Sequence, residues 1–377
     1  MNLPFATNAL LKAAVKRQGR LQQLAHLLFL VTVAAHVHAA EEITLLAGAT
    51  VIDGIAGAPL ENAVVVIRNE RIDAIARQGE GAIPAGARVI DVSGKWLVPG
   101  LVDAHVHFFQ SGGLYTRPDV IDLRHIRPYE DEIARIRERL PETLERYLAS
   151  GITSVVDLAG PGWTYELRSL AGDTVASPRV MLSGPGLTAQ LPAGLVGKHA
   201  PAFVVRSPEQ ALAVVRRLSV QRPDFLKIWF SPARGMNLAG EFTWIRAAIR
   251  EAHTLGLQVA VHATQLEIAR RMVDAGADIL VHSIDDRPID RELLSAMRAG
   301  GVLYIPTLGV SRRYAEVLGQ QLELAPFEQT MGDAGVIASL DDLPRLYQGY
   351  RRPQPLKDNR VARENLLRVH RAGITIA

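Results

Sequence analysis

Apolar and polar positions along this chain follow two successive patterns that change over at Pro99. Over 43–98, short β-branched runs (ITLLAGATVID, AVVVIRNERIDAIA, ARVIDVSGKWLVPG) are separated by turn signals at Asp53-Gly54 and Asn69-Glu70. The spacing predicts the N-terminal part of a small β-sandwich-like domain, with too few strands to close a core alone. From residue 99 onward, continuous apolar runs alternate with amphipathic segments, and strands are expected at 101–108, 152–158, 179–184, 225–230, 258–262, 279–282 and 302–307. An eighth begins at Ile374 and stops with the chain at Ala377. Helix signals lie between them. Ser207-Pro208-Glu209-Gln210 reads as a capping box with proline at the first helical position, Thr264 with Glu267 as another, and GEFTWIRAAIREAHTLG ends on Gly256 as at a C-cap.

Apolar strands each followed by a helix imply a parallel sheet covered on both faces, and seven strands plus the start of an eighth imply an α/β fold of the (β/α)8 TIM-barrel type over 99–377. An open doubly wound sheet is the competing architecture, but no G-x-G-x-x-G follows an early strand. The stretch 312–371 is the longest between strands and is expected to carry extra helices over the barrel mouth.

The first forty residues fit neither pattern. Lys12, Lys16, Arg17 and Arg20 occur without an acid, followed by LAHLLFLVTVAAHV and a small-residue site around Ala39. This reads as a signal peptide over 1–39, since the apolar run is shorter than the roughly 20 residues a membrane span needs. The expected product is periplasmic or secreted, with no stable membrane anchor after cleavage. Removing those four basic residues from 42 leaves 38 against 39 acids, so the formal net charge of +3 belongs to the leader. No basic block points to nucleic acid, and a small-molecule partner is expected. The absence of cysteine excludes a thiol nucleophile, a disulfide framework and any thiolate metal site.

In a barrel, chemistry collects at the C-terminal ends of the strands. His105 and His107 stand at i and i+2 in GLVDAHVHF, so a strand turns both to one side and Val106 to the other. Lys227 lies in DFLKIWF among Phe225, Leu226, Ile228, Trp229 and Phe230, where a lone ammonium is costly. It either pairs with a buried acid or, as a neutral amine, takes up carbon dioxide as a carbamate. VAVHA and ILVHS end two further strands in His262 and His282. Three strands ending in histidine and a fourth carrying a buried lysine are hard to explain as packing, and such ligands suit zinc, manganese or iron-type ions.

Together, GKWLVPGLVDAHVH, FLKIWFS, VAVHA and LVHS resemble the binuclear amidohydrolase superfamily over residues 43–377. The likeness is to imidazolonepropionase-like and Xaa-Pro dipeptidase-like members, and DRPIDRELLSAMRAGGVLYIPTLGV shares it. The resemblance implies two divalent metal ions, zinc being the expected identity. His105 and His107 would hold one, His262 and His282 the other, and carbamylated Lys227 would bridge them with a hydroxide. It further implies hydrolysis of amide or peptide C–N bonds in a small-molecule or dipeptide substrate; no oligomeric state is implied. The family also places an aspartate just past the start of the eighth strand, where it ligates metal and shuttles a proton. HRAGITIA resembles the approach to that residue, so the catalytic aspartate is expected beyond Ala377 and the chain is expected to be a fragment, its barrel incomplete at strand 8.

Two other readings stay open. A mononuclear deaminase of the same fold would need H-x-x-E, whereas His262 is followed by Ala263-Thr264-Gln265 and Lys227 would be surplus. A non-catalytic metal- or ligand-binding remnant would keep the histidines without the acid. Asp157, Asp285 and Asp286 read as structural, loop or helix-start acids. His199, Arg312, Arg313 and Tyr314 are loop candidates for binding a substrate carboxylate or peptide oxygen.

Overall fold

A computed structural model describes residues 42–55, 57–80, 84–173, 176–346 and 359–377; the leader read at 1–39 lies outside them. The chain divides into two compact units, one up to Pro99 and one from Gly100 to Ala377. In the first, β1 (Ile43–Val51), β2 (Leu60–Arg68), β3 (Arg71–Arg77), β4 (Arg88–Asp91) and β5 (Trp96–Leu97) form one five-stranded sheet of order β3-β2-β1-β4, with β5 also on β1. The β2–β3 turn is the predicted one, Asn69 taking a φ of 54°. A second sheet to face this one, as a sandwich would need, is not among the described residues.

The second unit begins with β6 (Leu101–Val106), β7 (Ile152–Asp157) and β8 (Arg179–Leu182), paired in that order and parallel. Next come β9 (Gly186–Thr188), β10 (Ala202–Val204), β11 (Phe225–Ile228), β12 (Gln258–His262), β13 (Ile279–Val281) and β14 (Leu303–Ile305), a parallel sheet of order β10-β9-β11-β12-β13-β14. Ile376 bridges in parallel to Tyr304 on β14. The short strands β9 and β10 were not expected, because GPGLTAQ has the composition of a loop. Gly186 permits the approach, since a Cβ there would lie 3.1 Å from the Lys227 carbonyl oxygen.

Side-chain alternation shows that these strands curl around a common interior. Ala104, Val156, Leu158, Met181, Phe225, Ala260, Ile279, Val281, Leu303 and Ile305, drawn from the first strand of the unit to the last, belong to one apolar cluster. A flat sheet would hold β6 and β14 far apart. The opposite face, with Leu226, Ile228, Val259, Val261 and Leu280, packs under helices carrying Phe242, Trp244, Ile249 and Met272. Each such buried side chain contributes roughly 1.5–3 kcal/mol. Among the described residues no helix is long and apolar enough to cross a membrane.

The helix starts partly follow the sequence. Ser207 caps Pro208–Ser219 by accepting from the Gln210 amide, and the Gln210 side chain accepts from the Arg206 amide. The box expected at Thr264 is not formed. Helix Leu266–Asp274 begins after Gln265, and Asp286 from a later loop accepts its first amide, Leu266 N, at 2.8 Å. The stretch 312–371 holds the expected extra helices, including Pro326–Met331, Ala334–Leu340 and Arg360–Arg371.

At the starts of two strands an aspartate device recurs. Asp224, one residue before β11, donates its amide to Leu182 O at 3.0 Å and accepts Leu182 N at 2.8 Å, joining β8 to β11. Asp278, one residue before β13, makes the same pair of bonds with Val259 on β12, at 3.1 and 2.7 Å. His253 Nε2 also bonds Asp278, at 2.9 Å. Replacing Asp224 by alanine strands the amide of Leu182, a fully buried residue, so Asp224→Ala is expected to lower unfolding free energy by about 1–3 kcal/mol in urea titration.

Candidate metal centre

The C-terminal ends of β6, β11, β12 and β13 deliver His105, His107, Lys227, His262 and His282 to the wall of one cavity of about 490 Å³. The His262 and His282 ring centroids are 4.5 Å apart, His105 and His282 4.7 Å, and His105 and His107 4.9 Å. Alternation explains two strands, Lys227 following Phe225 by two and His262 following Ala260 by two; in β6 the pairing shifts register between Asp103 and Val106, so Ala104 packs inward and Val106 outward while His105 and His107 both reach the cavity. Nor does alternation explain the fourth. Val281 faces the interior, so a regular strand would send His282 outward; instead His282 takes a φ of 76°, and its ring turns in. Thr307 (φ 45°) and Ala159 (φ 126°) share this left-handed backbone, which costs about 1–3 kcal/mol per non-glycine residue and concentrates at functional sites.

Both unusual neighbours orient a ring. His107 Nδ1 lies 2.9 Å from the Ala159 carbonyl; a carbonyl only accepts, so the proton is on Nδ1 and Nε2 keeps its lone pair, turned toward His105 Nε2. His282 Nδ1 lies 2.8 Å from Thr307 Oγ1. Metal-ligating histidines are held in this way through their second nitrogen. His107 Nε2 and His105 Nε2 are 3.1 Å apart, whereas two nitrogens on one tetrahedral zinc stand about 3.3 Å apart.

Electrostatics keep the four imidazoles uncharged. Burial, reinforced by Lys227, lowers the imidazole pKa of His107 to about 4, with hydrogen bonding to Ala159 opposing the shift, and that of His262 to about 3. Burial and His262 bring His282 to about 2, and burial with its histidine neighbours depresses His105 further. Lys227 is 3% exposed, its pKa is lowered to about 7 by burial, and its Nζ has no hydrogen-bond partner. Among the described residues no acid pairs with it. Two of the three ring pairs meet edge to face, and among the described residues no three His, Cys, Asp or Glu side chains are already converged on a point. The donor set nonetheless fits a divalent cation: neutral imidazoles, an unprotonated Nε2 on His107, and orphaned polar atoms on Lys227 and at His105 Nδ1.

The family model for the amidohydrolase family matches residues 96–375. The chain belongs to the amidohydrolase family. This amidohydrolase is 25% identical over 295 residues to an imidazolonepropionase of Rhizobium meliloti, covering 71% of the chain and 67% of that relative. It is 44% identical over 68 residues to a dihydroorotase of Pelotomaculum thermopropionicum, 18% of the chain but 15% of the relative's length. A solved Xaa-Pro dipeptidase with bound methionine superposes with a TM-score of 0.62 at 20% identity, over 89% of this chain and 78% of that one. For the ochratoxinase of A. niger the values are 0.60, 21%, 89% and 75%. At such identities the structural likeness shows the fold, which with the family membership is the α/β TIM-barrel fold.

Other candidates divide. Tyr314 lines the cavity of the amidohydrolase. His199 does not: its Nδ1 is buried without a partner elsewhere, and burial lowers its pKa. Arg312 and Arg313 are also absent from the wall and pair with Glu316, Arg313 with Glu328 as well. Asp285 lines the cavity rather than only its loop. Asp157 is fully buried 3.9 Å from His107 Nδ1, and burial raises its pKa well above the carboxylate range. Arg117 was missed: it lies in a polar loop with no motif, yet lines the same cavity. Thr307→Val removes the hydroxyl beside His282 and is expected to weaken zinc binding about 10–100-fold, read by competition with a chromophoric chelator.

Proposed function

We propose that the chain hydrolyses amide C–N bonds of small molecules, dipeptides foremost, with divalent metal ions held by His105, His107, His262 and His282 and by Lys227 as a carbamate. The observation that carries this is Lys227, fully enclosed, without an acid and set among four neutral imidazoles. A neutral amine is the form that adds carbon dioxide: an N–C bond forms at Nζ, a proton leaves, and the orphaned donor becomes an anion. That anion supplies the negative charge the cluster lacks. Cations bound there would lower the pKa of water and polarise the scissile carbonyl. Ala159 and Thr307 hold His107 and His282 in orientation, and Phe109, Trp229, Leu308 and Val310 form apolar walls that limit water.

The names of the Xaa-Pro dipeptidase and of a prolidase complexed with N-methylphosphonate-L-proline among the neighbours favour dipeptides as substrate class. The leader-like pattern at 1–39 favours a periplasmic or secreted setting.

Elemental analysis after incubation with zinc and bicarbonate is expected to give two equivalents of metal, falling to one or none in Lys227→Met. A dipeptide panel assayed with zinc or manganese should then show cleavage. Metal uptake unaffected by Lys227→Met would sink the carbamate, and a panel of dipeptides, esters and lactones left intact would sink the hydrolase.

A further inference from the structure

Behind the histidine cluster, one buried acid has no evident structural task. Asp157 is the last residue of β7 and is fully buried, and neither of its carboxyl oxygens makes a hydrogen bond among the described residues. The Phe108 and Ala159 amides lie near it without closing a bond. β7 pairs with β8 without a register shift, so Asp157 shares the outward face of Val155, which packs in an apolar cluster with Val106, Phe108, Leu144 and Leu182. An enclosed carboxyl with no hydrogen-bond donor is costly, and stability alone would favour an apolar side chain there. What Asp157 does face is a ring. Its Oδ1 lies 3.9 Å from His107 Nδ1, the nitrogen that donates to the Ala159 carbonyl at 2.9 Å. The end of β7 and the residues after it thus bring two acceptors to one side of this imidazole, while Nε2 on its other side is turned toward His105. Asp157 does not line the cavity and His107 does, so the ring stands between the acid and the cavity.

We propose that Asp157 is a positioning residue of the metal centre: its carboxyl backs His107 and supplies negative charge behind the ring when a cation is held in front of it. The proposal rests on the metal-site reading above. Divalent cations bring more positive charge than one carbamate at Lys227 offsets, and neutral imidazoles offset none. In an enclosed region a carboxyl at this separation interacts strongly with a cation beyond the ring. The Ala159 carbonyl fixes the tautomer of His107 but carries no net charge; a carboxylate behind a ligating imidazole also makes it a stronger base. The 3.9 Å separation exceeds a charge-assisted hydrogen bond by about 1 Å, which a small turn of either side chain spans.

The test uses the full chain with Asp157→Asn, which keeps the shape and removes the charge, and Asp157→Ala, which removes the carboxyl altogether. Urea unfolding is measured without metal, zinc affinity by competition with a chromophoric chelator, and the ligand field at the histidines by the visible absorption of the cobalt(II)-loaded chain. In both variants zinc affinity is expected to fall about 10–100-fold and the cobalt band to shift, while Asp157→Asn without metal is at least as stable as wild type. An acid with only a structural task gives the opposite pair, lower metal-free stability with zinc affinity and the cobalt band unchanged, and that result overturns the proposal. Unchanged zinc affinity in both variants overturns it whatever the stability, and leaves the metal centre itself standing. A wild-type chain that takes up no zinc removes the metal reading, and this proposal with it.

Discussion

A lysine enclosed in the parallel sheet without an acid is the constraint on which this structure turns. Lys227 shares the inner face of β11 with Phe225, and β9 approaches it closely at Gly186. An ammonium in such a place, unpaired and dehydrated, is strongly disfavoured, and burial moves its titration from the usual alkaline range to about 7. The four imidazoles around it face the same burial, and each added proton would repel the others. The result is a set of imidazoles that stay neutral at ordinary pH around an amine that loses its proton near pH 7, a cluster that gains from a cation or from conversion of the amine to an anion.

The surrounding backbone is shaped to hold that cluster. Of the non-glycine residues with left-handed φ, Ala159, His282 and Thr307 all belong to it: one ring, and the two groups that orient rings. Strain of this kind persists only where neighbouring structure over-determines it. Here the support is the layer of Leu226, Val259, Val261 and Leu280 under the helices, and the Asp224 and Asp278 bonds that tie the starts of β11 and β13 to the neighbouring strands β8 and β12. Stability at one end of the strands thus permits strained geometry at the other, the division of labour expected of a barrel.

Much of the fold was legible because its signals are local. Continuous apolar runs between amphipathic segments mark parallel strands, and the strands predicted at 101–108, 152–158, 179–184, 225–230, 258–262, 279–282 and 302–307 all have counterparts in the structure. Signals carried by distant residues were not legible. The amide of Leu266 is capped by Asp286 rather than by Thr264, β9 and β10 pair within a glycine-rich loop, and Arg117 meets Tyr314 only after the chain has crossed most of the unit.

The sequence by itself determined the alternating strand and helix order, the i, i+2 geometry of His105 and His107, and the placement of Lys227 in an apolar strand, because each follows from the periods of the backbone. Tertiary structure alone decided that His282 turns inward against the alternation of its strand, that Lys227 meets no acid, and that His199 stays away from the cavity while Arg117 enters it. These are matters of which distant groups become neighbours once the sheet curls. A period along the chain carries no information about them.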